Sequence, residues 1–83
     1  MDDKPTTLDR LSHRQTAVVV GFDDKFPKER RERFEDLGLL PETTVQHLYT
    51  APLGDPIAFS IRETVLCLRR EDARRVRVKG VGS

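Results

Sequence analysis

Cysteine occurs once and tryptophan not at all in the 83 residues, no apolar run exceeds four residues, and cations outnumber acids by a single charge, 15 against 14. Each shortage excludes a class of protein. One cysteine cannot close an intramolecular disulfide, so packing alone must hold the fold, and a reducing, cytoplasmic setting is expected. Runs of four fall far short of the ~18–20 apolar residues that cross a bilayer, and the acidic start Met1-Asp2-Asp3 lacks the basic-then-apolar order of a signal peptide. A net charge of +1 opposes dominant non-specific binding to nucleic acid, which needs an excess of Lys and Arg to neutralise phosphates. The charge is nevertheless uneven. Arg69, Arg70, Arg74, Arg75, Arg77 and Lys79 face only Glu71 and Asp72 within one short stretch, which keeps an RNA or an acidic partner in view. The length admits one domain.

What is present reads as short strands around one helix. Residues 1–7 carry no periodicity and are expected to form a flexible tail, the single domain spanning 8–78 and a second tail 79–83. Leu8 and Leu11 make a one-turn apolar pair. The β-branched run Thr16 to Phe22 is a strand, and Lys28 to Leu37 is a charged surface helix anchored by Phe34 and Leu37. Gly38 suits the left-handed position after the helix, with Leu39 and Phe34 as the apolar pair of a Schellman motif and Pro41 barring continuation. Thr43 to Thr50 alternates, with Val45, His47 and Tyr49 on one face. Two prolines and a glycine make Ala51 to Pro56 a turn. Ile57 to Ile61 and Thr64 to Leu68 follow as strands across the reversal Arg62-Glu63, then one helical turn over Glu71 to Arg74 and a last short strand with Val76 and Val78 on one side. About five strands and one inserted helix predict an all-β fold, a small barrel that leaves no exposed edges. The apolar phases place Val18, Val20, Phe34, Leu37, Val45, Ile57, Phe59, Ile61, Leu66, Leu68 and Val76 in the core.

No spacing sets a nucleophile beside a base, so no enzymatic activity is expected. Cys67, between Leu66 and Leu68, reads as a small core hydrophobe. His13 and His47 stand far apart without a CxxC, HxxxH or HxxE partner and read as exposed residues rather than metal ligands, and no cofactor is expected. Gly21, Gly38 and Gly54 are isolated turn residues, not a phosphate loop. The Arg69 to Lys79 segment lacks the interleaved aromatics that stack on bases.

Leu8-x-x-Leu11, the valine strand, Arg33 to Pro41 (RFEDLGLLP), Ala51 to Ile57 (APLGDPI) and Leu66 to Ala73 (LCLRREDA) together resemble the FeoA family, over roughly Thr7 to Val78. The resemblance implies an SH3-like β-barrel, also found as the last domain of some iron-dependent repressors. It also implies a small cytosolic accessory of bacterial ferrous iron uptake, with family-level association to transition metal ions, that acts by contact with the cytosolic GTPase or membrane-proximal region of the FeoB transporter. Where the family has glycine at turns, this chain carries Arg14, Glu42 and Glu63, which would set side chains at positive φ. A second reading, from the basic segment, is an SH3-like nucleic-acid or ribosome-associated module. The expected partner-docking surface is the helix end, Leu39, Leu40 and Pro41, joined to Leu53, Gly54 and Asp55 of the adjoining loop, because an apolar side chain held on a rigid turn loses little freedom on binding.

Overall fold

The computed structural model describes residues 5–80. Six strands, β1 (Pro5–Thr7), β2 (Thr16–Phe22), β3 (Thr44–Thr50), β4 (Ile57–Ile61), β5 (Thr64–Leu68) and β6 (Val76–Gly80), are joined by helix α1 (Lys28–Asp36) after β2 and helix α2 (Arg70–Ala73) after β5. A 3₁₀ turn, Leu8–Arg10, follows β1. The strands form one antiparallel sheet in the order β1-β6-β2-β3-β4-β5. The all-β class holds, with one strand more than expected, and β1 and β5 remain at the two edges instead of closing on each other. The extra strand comes from the expected tails: Pro5 pairs with Lys79 and Thr7 with Arg77. Tail residues 1–4 and 81–83 lie outside the described residues.

The core lies on one side of this curled sheet. Val45, Ile57, Phe59, Ile61, Leu68, Val76 and Phe34 are buried as their alternation required. Strand β2 takes the opposite phase: Ala17 and Val19 are buried, and Val20 is exposed. Ala17 to Val20 is apolar at every position, so the phase is set by partners, Ala17 opposite Val45 and Val19 opposite Val78, which are themselves buried. Leu37 is half exposed beyond the helix, and Leu66 is only partly buried. Leu8, Leu11 and Leu39, outside the expected core, fill it instead. Phe22, Phe26 and Phe34 stack under α1 with ring centroids 5.5–6.5 Å apart, so three rings rather than a two-residue stripe hold this charged helix down.

The helix ends as its sequence required. Gly38, at φ +113°, donates its N–H to Glu35 O (3.0 Å), and Leu39 donates to Phe34 O (3.1 Å), the bond pair of a Schellman motif. A Cβ on Gly38 would stand 3.3 Å from Ile61 Cγ2. The positions where glycine was missed are left-handed: Arg14, Glu42 and Glu63 have φ of 66°, 70° and 71°, and Arg62 joins them at 49°. Arg62 and Glu63 form the two-residue loop between the paired Ile61 and Thr64, and positive φ at both gives the twist an antiparallel hairpin needs.

Candidate functional site

The Ala51 to Pro56 loop is a braced projection. Gly54 donates its N–H to Ala51 O (2.8 Å), and Ala51 donates to Pro56 O (3.0 Å). Arg70 then ties the loop to the body: its N–H donates to Asp55 Oδ1 (2.7 Å), its Nε to Gly54 O (3.1 Å) and its Nη1 to Asp9 O (3.3 Å). The Asp55–Pro56 peptide is cis. Leu53 stands at the tip of this scaffold, 96% exposed. A large aliphatic side chain in water on an already ordered turn has much apolar area and little entropy to lose on docking.

The helix end belongs elsewhere. Leu39 is wholly buried and cannot dock; it is the apolar half of the helix cap. Leu40 and Pro41 are exposed, but they precede β3 whereas Leu53, Gly54 and Asp55 follow it. The seven residues of β3 span roughly 20 Å at ~3.3 Å per residue. The structure therefore gathers Leu53, Gly54 and Asp55 on one loop and sets Leu40 and Pro41 at the other end of the sheet.

The basic segment is divided by its own contacts. Arg70 is committed under the loop, and Arg75 pairs with Asp23 at 2.9 Å. The Asp23 carboxyl is held below its usual range, first by the Lys25 N–H and then by Arg75. Arg30 of α1 pairs with Asp72 of α2 at 3.0 Å and lies over the Phe26 ring. Between them a pocket of about 180 Å³ is lined by both signs of charge, Lys25, Arg30 and Arg75 against Glu71 and Asp72. Arg69, Arg74, Arg77 and Lys79 remain exposed.

His47 corrects the sequence reading. It is 6% exposed, its Nε2 lies 2.9 Å from Thr50 Oγ1, and its ring packs edge-on against Phe59 and against His13, whose centroid is 5.8 Å away. Its buried Nδ1 has no partner among the described residues. The alternation that put His47 on the face of Val45 was itself the signal for burial. Tyr49, assigned to that face, is exposed because a bulge between His47 and Tyr49 turns it to the side of Ala58. Cys67 is exposed by plain alternation: it is out of phase with Leu66 and Leu68, whose neighbours across the ladder, Phe59 and Ile57, lie in the core. Among the described residues no three His, Cys, Asp or Glu side chains converge as metal ligands. No helix there is long and apolar enough to cross a membrane.

Burial, then the neighbouring His13 and Arg70, lowers the His47 pKa below the ordinary histidine value. The unfolded chain therefore takes up the proton first, and stability is full above the ordinary value of 6.5 and declines as pH falls through it toward the lowered folded value. Melting temperatures followed from about pH 8 to about pH 5 should fall across this window, and His47→Gln should flatten the decline. A wild-type curve as flat as the variant's would show that His47 stays solvated in solution.

A family model described as FeoA domain matches residues 6–80. Among solved structures, the FeoA protein of Chlorobium tepidum is 30% identical, with a TM-score of 0.85 over 93% of this chain and 71% of that one. The Stenotrophomonas maltophilia FeoA, crystallised with zinc and described as a prokaryotic SH3 domain protein, is 28% identical with a TM-score of 0.77 over 88% of each chain. A manganese-dependent transcriptional repressor, 17% identical, covers 93% of this chain with 37% of its own length at a TM-score of 0.80 and shares the fold.

Proposed function

The chain belongs to the FeoA family, and on that basis we propose that it serves ferrous iron transport as a small accessory protein, acting through contact with the cytosolic part of a FeoB-type transporter. The family match across the whole described fold carries the first half of this reading. The second half rests on Leu53, the most exposed large apolar side chain among the described residues, on a loop that Arg70 has already ordered. The protein works as a binding module: its most accessible large apolar side chain, Leu53, sits on a turn that Arg70 braces. Gly54 and Asp55 contribute by holding that turn, through the Arg70 bonds, in the shape the partner meets.

Leu53→Glu tests the docking half. The variant should melt within about 0.5 kcal/mol of wild type, because the side chain has no packing to lose, and should lose capture of the transporter's cytosolic domain in a pull-down. Leu40→Glu, at the far end of β3, should retain it. Equal capture by wild type and Leu53→Glu would remove the loop as the docking element. Capture by neither wild type nor variant would remove the partner.

A further inference from the structure

The two edges of the sheet differ. Strand β1 is three residues long and begins at Pro5, the length and residue type with which proteins blunt an edge. Strand β5 is five residues long, uncharged from Thr64 to Leu68, and has no partner on its outer side among the described residues. Thr64, Val65 and Cys67 are exposed along it. No lysine or proline interrupts it, and charges stand only at the ends, Arg62 and Glu63 before it and Arg69 and Arg70 after it; Glu63 and Arg69 are exposed and in no ion pair among the described residues.

The hairpin register tells which backbone groups are free. Ile61 and Thr64 flank a two-residue loop and so form a hydrogen-bonded pair, and such pairs alternate along an antiparallel ladder. Thr64, Leu66 and Leu68 therefore bond inward to β4, whereas the N–H and C=O of Val65 and Cys67 point outward.

We propose that β5 pairs antiparallel with β5 of a second copy about a two-fold axis at Leu66, joining the two sheets into one. This register opposes Val65 to the second copy's Cys67 and the reverse, which engages the four outward N–H groups of the two strands with the four outward carbonyls. It also brings Glu63 of each copy opposite Arg69 of the other, two opposite-charge contacts at the rim. A β strand of another protein would find the same backbone groups. A second copy is the occupant because Glu63 and Arg69, the charges adjoining the uncharged stretch, oppose each other under two-fold symmetry, while Arg70, which the same register sets opposite Arg62, is held back by its bonds to Asp55, Gly54 and Asp9. The end of β5 at Leu68 adjoins the Leu53 loop through Ile57 and Arg70, whereas Val65 lies toward the opposite, hairpin end of the strand.

Sedimentation equilibrium of the full chain, with chelator and reductant present so that neither metal nor Cys67 oxidation can link copies, tests the assignment. Wild type should pass from monomer to dimer between micromolar and millimolar concentration. Val65→Pro deletes only an outward N–H, leaves the β4 ladder intact and should be monomeric throughout with a near-wild-type melt. Glu63→Arg should weaken the dimer about tenfold, and Glu63→Arg combined with Arg69→Glu should restore it. A wild type that stays monomeric at millimolar concentration overturns the proposal. So does a dimer that survives both Val65→Pro and Glu63→Arg, or one that needs added zinc or an oxidant.

Discussion

Phe59→Ala is expected to destabilise the protein by about 3–5 kcal/mol, a large part of the ~5–15 kcal/mol that a domain commands. Phe59 is wholly buried in β4, opposite His47 on one side and Leu66 on the other, and the His47 ring leans edge-on against it. Removing the ring deletes its transfer free energy and opens a void that two hydrogen-bonded neighbours cannot follow inward. It also strips apolar cover from the buried His47 ring, so water entry and loss of packing act together. Urea denaturation reads the effect as a lowered midpoint with a nearly constant slope. An unchanged midpoint would mean that the strand phase of β4 is wrong.

Leu39→Ala should be the second large effect, about 2–5 kcal/mol by the same measure. Leu39 is fully buried, and its N–H closes the wider bond of the helix cap on Phe34, which packs in the same core. The variant keeps the backbone bond but loses the apolar clasp that directs the chain from α1 into β3. Leu40→Ala, one residue on and exposed, should change stability by less than about 0.5 kcal/mol. Equal effects at the two positions would show that the cap does not orient the helix end as described.

These adjacent leucines show how far local pattern reaches. The Gly38 stop was legible with its apolar pair, because a Schellman motif is written in three or four neighbouring residues. That Leu39 was thereby committed to the core, and so unavailable for docking, follows from the same motif. Strands β4 and β5 were legible because alternation and a two-residue reversal are local. The phase of β2 was not: a run of valines offers no alternation, and Val45 and Val78, distant in sequence, decide which of them turns inward. Strand β1 was invisible because three residues carry no period and gain order only from β6. The structure also divides the expected docking surface: Leu39 is buried, and Leu40 and Pro41 are parted from Leu53, Gly54 and Asp55. The strand Thr44–Thr50 between Leu40 and Leu53 was itself legible, and its length already sets the two at opposite ends. The left-handed turns at Arg14, Glu42 and Glu63 were anticipated from the family resemblance, since nothing in an arginine or a glutamate announces a positive φ.

The placing of β6 between β1 and β2 has a consequence for how the molecule comes into being. A ribosome delivers the chain from its N-terminus, so β1 and β2 emerge long before the strand that must lie between them. The neighbours β3, β4 and β5 can zip as hairpins while synthesis continues, but the N-terminal part of the core, Leu8, Leu11, Ala17 and Val19, stays without its cover of Val76 and Val78 until β6 has emerged. Assembly is therefore governed by the pairing of β6 with β1 and β2, strands far apart in sequence and slow to find each other. During that interval the nascent chain displays unpaired apolar strand to whatever is near it.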